Sequence, residues 1–282
     1  KPSKKNNMGT SHRHTPTIQH QPNWGKTSAA VTDIAIGVEK SDILEKNPPA
    51  AMTPHQINRR QSKLDNQIRR NFHRAVRNLV RSAGGRGKVS SGISRAVGHA
   101  GVVVAGRFIS TFTDIANRGL LQWMRDKGIM SLEGKSCRDI LSIIRGFIQN
   151  GVSGLDNTAA NEALEHVMEM VEGQMKDDVA SFDDVMGKVW ENEVIKDLID
   201  EFFGMYIYSH LSQDFEEKLA YEKGSDVMLM TMAEIRELII DDIKTGKLGR
   251  SPETIDWASE EGQMFIKKEF DRIIYILSGN ED

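Results

Sequence analysis

The residues Gln67-Ile68-Arg69-Arg70-Asn71-Phe72 lie within the clearest helical pattern of the chain, which covers residues 57–82. Apolar side chains recur along this pattern at the three- and four-residue spacing of one helix face. They are Leu64, Ile68, Phe72, Ala75, Val76, Leu79 and Val80. Arginine and lysine occupy much of the rest, and Gly84 with Gly85 ends the pattern. These features predict a long basic helix with one face available for a core.

Helical signals continue through the rest of the chain. Residues 88–127 are apolar but interrupted by glycines, of which Gly98 and Gly101 are expected to allow close helix packing. Further on, capping patterns predict helix starts at Ser136-x-x-Asp139, Ser181-x-x-Asp184 and Ser251-Pro252-Glu253. The sequence shows no strand–helix alternation and no internal repeat. We therefore expect an all-α fold, an irregular multi-helix bundle in which residues 57–128 and 129–282 pack as one body.

Residues 1–56 differ from this body, because Lys, Asn, Ser, Thr, His and Pro dominate them. Such a composition buries too little apolar surface to offset its ordering entropy, which predicts a long extended or disordered N-terminal tail. Within this tail, Val31, Ile34, Ile36 and Val38 alternate in a way that would suit a short strand or a clip onto another surface. We expect the tail to be held by the body or presented to a partner.

The charge distribution and the composition limit the classes of protein to which this chain could belong. Residues 1–128 carry 22 Lys+Arg and 7 Asp+Glu, for +15, whereas residues 129–282 carry 15 and 33, for −18. The two parts therefore either match each other or offer surfaces to two different partners. A single cysteine, Cys137, excludes a disulfide framework within the chain. The sequence has neither an apolar run of membrane-spanning length nor the apolar part of a secretory signal, so the expected location is the cytoplasm.

Four arginines on the basic helix are candidate contacts for nucleic acid or for a partner protein: Arg69, Arg70, Arg74 and Arg77. Aromatic residues, which would favour nucleic acid, are scarce among them. The same arginines could equally form a solvated face or dock on the acidic half of the chain.

Catalytic signals are weak. His210 and Asp214 are spaced as an i, i+4 pair, which is either a catalytic couple or a satisfied structural pair, and the structural interpretation is favoured. No metal site is predicted, since His12, His14 and His20 have no acidic or cysteine companions in their segment. We therefore predict a protein that is not an enzyme and has no cofactor of its own.

Four segments distributed along the chain stand out by their order and spacing. They are Met8-Gly9-Thr10-Ser11, Arg69-Arg70-Asn71-Phe72, Ser94-Arg95-Ala96-Val97-Gly98-His99 and Tyr206-Ile207-Tyr208-Ser209-His210-Leu211. None of them is a chemical motif by itself. Together they resemble the QatB family, which belongs to the four-gene Qat anti-phage system of bacteria, and the resemblance covers most of the chain from Met8 onward.

The resemblance implies partners and a role for the tail. Proteins of this family work beside an ATPase, a QueC-like enzyme and a TatD-like nuclease, and ATP and zinc are expected only in the QueC-like enzyme. That enzyme is expected to join a deazaguanine covalently to the N-terminal glycine of its protein partner, and Gly9 would be that glycine. Because residues 1–7 precede Met8, cleavage after Met8 is expected to expose it. The residues expected to bind the enzyme are Asn7, Met8, Gly9, Thr10, Ser11 and Trp24.

The alternative function is a structural or nucleic-acid-contacting adaptor. Such a protein would link the ATPase and the nuclease through its basic helix, without any modification of Gly9.

Overall fold

The computed structural model describes residues 21–149, 154–175, 182, 192–246 and 254–280. Every regular element within these ranges is a helix, so the all-α prediction is confirmed. In chain order the helices are α1 (Pro22–Lys46), α2 (Pro54–Ser82), α3 (Arg86–Ser90), α4 (His99–Arg118), α5 (Leu120–Asp126), α6 (Cys137–Ile148), α7 (Leu155–Gln174), α8 (Asn192–Lys223), α9 (Ser225–Gly246) and α10 (Glu260–Leu277). Across these ranges, no helix combines the length and the apolar character needed to cross a membrane.

The long helix α8 forms the centre of the bundle. Its chain neighbours α7 and α9 pack along it, and α1, α4 and α10 also contact it. Aromatic side chains fill the space beside it, with Phe203 stacked on Phe270 of α10 at a ring-centre distance of 4.1 Å. Apart from Leu44 of α1, the buried apolar residues of these helices belong to one continuous cluster, so the basic and acidic parts of the chain share one core.

The first helix corrects the predicted extent of the tail. α1 packs along α2, and its buried apolar residues are Ala30, Val31, Ile34, Ala35, Val38 and Leu44. Most of these positions form one stripe of a helix, so the strand interpretation of residues 31–38 and the tail boundary at residue 56 are wrong. Polar residues on the other faces dominate the composition of this segment and concealed the stripe. Gly37 allows the close approach, since a Cβ there would lie 2.6 Å from Ile68 Cγ1.

One of the three predicted helix starts lies within the described residues. Ser136 and Asp139 form the capping box of α6 as predicted, and Ser136 Oγ accepts a hydrogen bond from Asp139 N at 3.2 Å. The last helix begins at Glu260, with Ser259 as its N-cap, and the described residues 254–259 before it are not helical, so this helix begins later than predicted. The later segment has a serine cap and two acidic residues in its first turn, which suit a helix start equally well. Residues 251–253 and the start predicted from Ser181 and Asp184 lie outside the described residues.

Candidate functional site

Two of the segments that resemble the QatB family meet at one buried carboxylate, Asp156 of α7. Asp156 Oδ2 accepts a hydrogen bond from Ala100 N at 2.7 Å, and Oδ1 accepts one from Gly98 N at 3.2 Å. From α8, the Tyr206 hydroxyl donates to Asp156 Oδ1, and His210 Nε2 lies 3.2 Å from the same oxygen. We call these five residues the Asp156 cluster.

The N-terminal ends of two helices, α7 and α4, explain the position of Asp156. Asp156 lies in the first turn of α7, and the groups that it binds lie at the start of α4. The first N–H groups of a helix have no partner within that helix, and they attract a negative charge. The N-cap of α4, Gly98, has no side chain that could accept from them. Asp156 therefore caps α4 from a neighbouring helix and joins α4, α7 and α8 at one point.

The protonation states of the cluster follow from burial and hydrogen bonding. Burial alone would raise the pKa of Asp156, but His210, Tyr206 and the Ala100 N–H together hold the pKa of that carboxyl below its ordinary value. Burial, followed by the charge of Asp156, raises the pKa of the Tyr206 hydroxyl well above its ordinary value. Tyr206 therefore keeps its proton and donates it to an ionised carboxylate.

Two glycines allow α4 to come this close, as the sequence predicted. At Gly101, a Cβ would lie 2.9 Å from Cε1 and Cζ of the Tyr206 ring. At Gly98, φ is +117°, and a Cβ would lie only 2.2 Å from Val89 O. A side chain at Gly98 is therefore excluded by contact with the backbone, and one at Gly101 would push against Tyr206.

The cluster is closed to solvent, because the exposed fractions of Asp156, Tyr206 and His210 are 6%, 0% and 2%. Its carboxylate accepts hydrogen bonds on both oxygens, and the cluster contains no serine, threonine, cysteine or lysine. This arrangement is that of a structural brace between helices, which agrees with the favoured interpretation of His210 as a satisfied structural residue. The partner is Asp156, however, and not Asp214. Sequence reasoning missed Asp156 because Tyr206 and His210 are 50 and 54 residues away in the chain.

Asp214 itself lies one helical turn beyond His210 on α8, and it is partly buried. Burial raises the pKa of Asp214 to about 6, and the nearby His210 opposes this rise only in part. The Asp214 carboxyl therefore changes its protonation state near pH 6.

Most of the candidate contact residues on α2 bind groups of the same chain, although the side chains of Arg69 and Arg74 remain 38% and 45% exposed. Three of the four guanidinium groups reach carboxylates on α1 and α9 or a carbonyl just after α10. Arg69 pairs with Asp242 and, at 3.5 Å, with Asp241; Arg74 pairs with Asp33 at 2.5 Å; Arg77 donates to Ser278 O at 3.0 Å. The fourth, Arg70, is exposed. These contacts favour the alternative in which the basic helix docks on other parts of the same chain, since binding phosphates would require three arginines to leave their partners.

Of the six candidate residues predicted for the tail, the structure describes only Trp24. Asn7, Met8, Gly9, Thr10 and Ser11 lie outside the described residues. Trp24 lies in α1, so its predicted place in the tail is wrong. Its ring stacks on Phe215 of α8, with ring centres 5.2 Å apart and an angle of 22° between the planes. Trp24 therefore attaches the first turn of α1 to the central helix.

The body of the chain matches a known protein family. A scan of family models matches residues 84–277 to QatB, described as Qat anti-phage system associated protein QatB. The match contains all five residues of the Asp156 cluster and leaves out residues 1–83, with α1 and α2. Neither the curated proteins nor the solved structures gave a match. Since the matched residues make up more than half of the chain, this protein belongs to the QatB family of the Qat anti-phage system.

Proposed function

We propose that this component of the Qat anti-phage system is the protein substrate of a QueC-like enzyme, which binds the segment before α1. Cleavage after Met8 would free the amine of Gly9. The carboxylate of a deazaguanine would attack the α-phosphorus of ATP and release pyrophosphate, and the Gly9 amine would then attack the activated carbonyl. An amide bond forms, the amine loses a proton, and the nucleotide leaves with the oxygen of the former carboxylate.

The observation that carries this proposal is the attachment of α1 to the central helix. Besides the stacking of Trp24 on Phe215, Lys218 Nζ donates to Ser28 Oγ at 2.5 Å and to Thr32 Oγ1 at 3.3 Å. Ring stacking and hydrogen bonds on successive turns hold the start of α1 in place. Any segment that precedes Pro22 is therefore joined to the body at a defined position.

The number of residues between Gly9 and α1 suits delivery into an enzyme. Gly9 stands 13 residues before Pro22, the first residue of α1. An extended chain spans at most ~3.6 Å per residue, so this segment can reach up to about 45 Å from the body. Glycine has no Cβ, so its amine can approach a bound acyl group without a clash. The small neighbours Thr10 and Ser11 would let the segment enter a narrow site with its backbone extended.

Intact-protein mass spectrometry after co-expression with the QueC-like partner tests the proposal. The expected result is a protein that has lost residues 1–8 and gained one deazaguanine acyl group on Gly9. An unchanged mass in the presence of an active partner enzyme would contradict the proposal.

Two Gly→Arg variants separate a specific loss of the modification at Gly9 from a general loss of folding or stability. Gly9→Arg should abolish both the added mass and phage defence. Gly25→Arg is the matched control, because Gly25 is exposed on α1 and a Cβ there meets no heavy atom within 4 Å. Defence that survives Gly9→Arg would favour the adaptor alternative instead. Trp24→Ala should slow the modification without blocking it, because it loosens α1 but leaves Gly9 intact.

A further inference from the structure

A groove of about 500 Å³ opens between α4, α6 and α10, and none of the five residues of the Asp156 cluster lines it. Its volume lies within the ~300–1,000 Å³ that is typical of ligand sites. The residues that give it chemical character are Arg107, Ser110 and Thr111 from α4, Phe147 from α6, and Gln263 and Lys267 from α10. The groove therefore combines two cations, two hydroxyls, an amide and an aromatic ring.

The charge of this groove is positive, and both the basic and the acidic part of the chain contribute residues to it. No carboxylate lines it. Arg107 makes one long hydrogen bond, from Nη1 to Gln149 O at 3.5 Å, and within the described ranges neither Arg107 nor Lys267 pairs with a carboxylate. The acidic residues further along α4 and α5, Asp114 and Asp126, are both paired with Arg118. The two cations of the groove are therefore available to an anionic ligand.

The aromatic ring of the groove is unusually exposed. Phe147 has 46% of its surface open to solvent, whereas the other aromatic residues near it are buried. Trp123 contacts it edge-on, with ring centres 5.4 Å apart and an angle of 88°, and Lys127 Nζ lies 5.9 Å from the ring centre. Stacking this exposed ring on a flat partner would be favourable, because it would bury apolar surface. Lys127 adds a third positive charge beside the ring.

We propose that this groove binds single-stranded nucleic acid. Arg107 and Lys267 would contact successive phosphates, Phe147 would stack on an unpaired base, and Ser110, Thr111 and Gln263 would hydrogen-bond the sugar or the base edge. A positively charged groove with an aromatic platform is the usual means of binding single strands without sequence preference. A duplex fits less well, because its bases are already stacked and cannot reach Phe147. This function is separate from the modification of Gly9, and it places nucleic acid on the α4–α10 side of the body instead of on α2.

Fluorescence anisotropy of a labelled oligothymidine, titrated with the full-length protein at several salt concentrations, tests this proposal. Lys267→Gln should weaken binding and reduce the slope of log affinity against log salt by about 0.7, the value for one lost phosphate contact on a single strand. Lys268→Gln is the matched control, since Lys268 is exposed on the same helix but does not line the groove. Phe147→Leu keeps an apolar side chain but removes the ring, and it should weaken binding by roughly 5- to 150-fold.

Several results would overturn the proposal. Equal losses from Lys267→Gln and Lys268→Gln would indicate a diffuse charge effect, and full affinity in Phe147→Leu would exclude stacking. Binding of polyglutamate in place of oligothymidine would identify an acidic protein as the ligand. Because all three substitutions are at exposed positions, each variant should fold, which its circular dichroism spectrum will show.

Discussion

Replacing Asp156 by alanine removes the only acceptor shared by four donors of the Asp156 cluster. Ala100 N–H would lose its partner at 2.7 Å, and His210 and Tyr206 would lose the oxygen to which both now point. Gly98 N–H would keep the Tyr206 hydroxyl, which lies at 2.5 Å, as an acceptor. The substitution therefore leaves three buried donors, on Ala100, Tyr206 and His210, without their acceptor and creates a small cavity beside them.

The size of the effect follows from these losses. A buried polar group without a partner costs about 1–3 kcal/mol, and removing one member of a buried charged network typically costs about 3–5 kcal/mol. We expect Asp156→Ala to lower the free energy of unfolding by about 3–5 kcal/mol, a large share of the roughly 5–15 kcal/mol that stabilises most proteins.

Urea unfolding followed by circular dichroism at pH 7 measures this difference. Asp139→Ala is the matched control, because Asp139 also caps a helix but lies on the surface at the start of α6, so it should cost clearly less. Asp156→Asn adds a test of charge. Because the folded-state pKa of Asp156 is lowered, its carboxylate stabilises the protein fully above about pH 4, and this contribution is lost as the pH falls further. The difference between the wild type and Asp156→Asn should shrink in the same range.

A loss of less than about 1 kcal/mol for Asp156→Ala would refute this reasoning. It would mean that water or a rearranged α4 satisfies the donors at little cost, and that the cluster does not brace the three helices. A difference between Asp156→Asn and the wild type that stays constant down to pH 2 would refute the ionised state of Asp156.

Two further predictions concern single positions on α8, α4 and α6. Asp214→Asn should stabilise the protein by about 1–2 kcal/mol above pH 6 and have no effect near pH 4, because burial raises the pKa of Asp214 to about 6 and protonation therefore favours the folded state. Thermal melts at both pH values measure the difference, and equal gains at both would contradict this prediction. Gly101→Ala should cost about 1–3 kcal/mol, since its Cβ would lie 2.9 Å from the Tyr206 ring. Gly146→Ala on α6 meets no heavy atom within 4 Å and should instead stabilise the helix by up to about 1 kcal/mol, so a loss of similar size at both glycines would contradict the packing argument.

Local patterns were sufficient for much of the fold. The spacing of Leu64, Ile68 and Phe72 predicted α2, and the Ser136–Asp139 capping box predicted the start of α6. The errors arose where two local patterns competed. Residues 31–38 carry both an alternating and a helical arrangement of apolar side chains, and only packing against α2 selects the helix. Likewise Ser251 and Ser259 are both acceptable helix caps, and the described helix follows the second one.

The sequence by itself determined the helical class, the separation of charge along the chain and the resemblance to the QatB family, because each of these depends on residue types and on spacings of a few residues. Only the tertiary structure decided which side chains meet. It brought Asp156 to the start of α4, paired Arg69 with Asp242 across 173 residues, and placed Arg107, Phe147 and Lys267 around one groove. Contacts between distant residues depend on how whole helices pack, and a pattern within one helix carries no information about its partner on another.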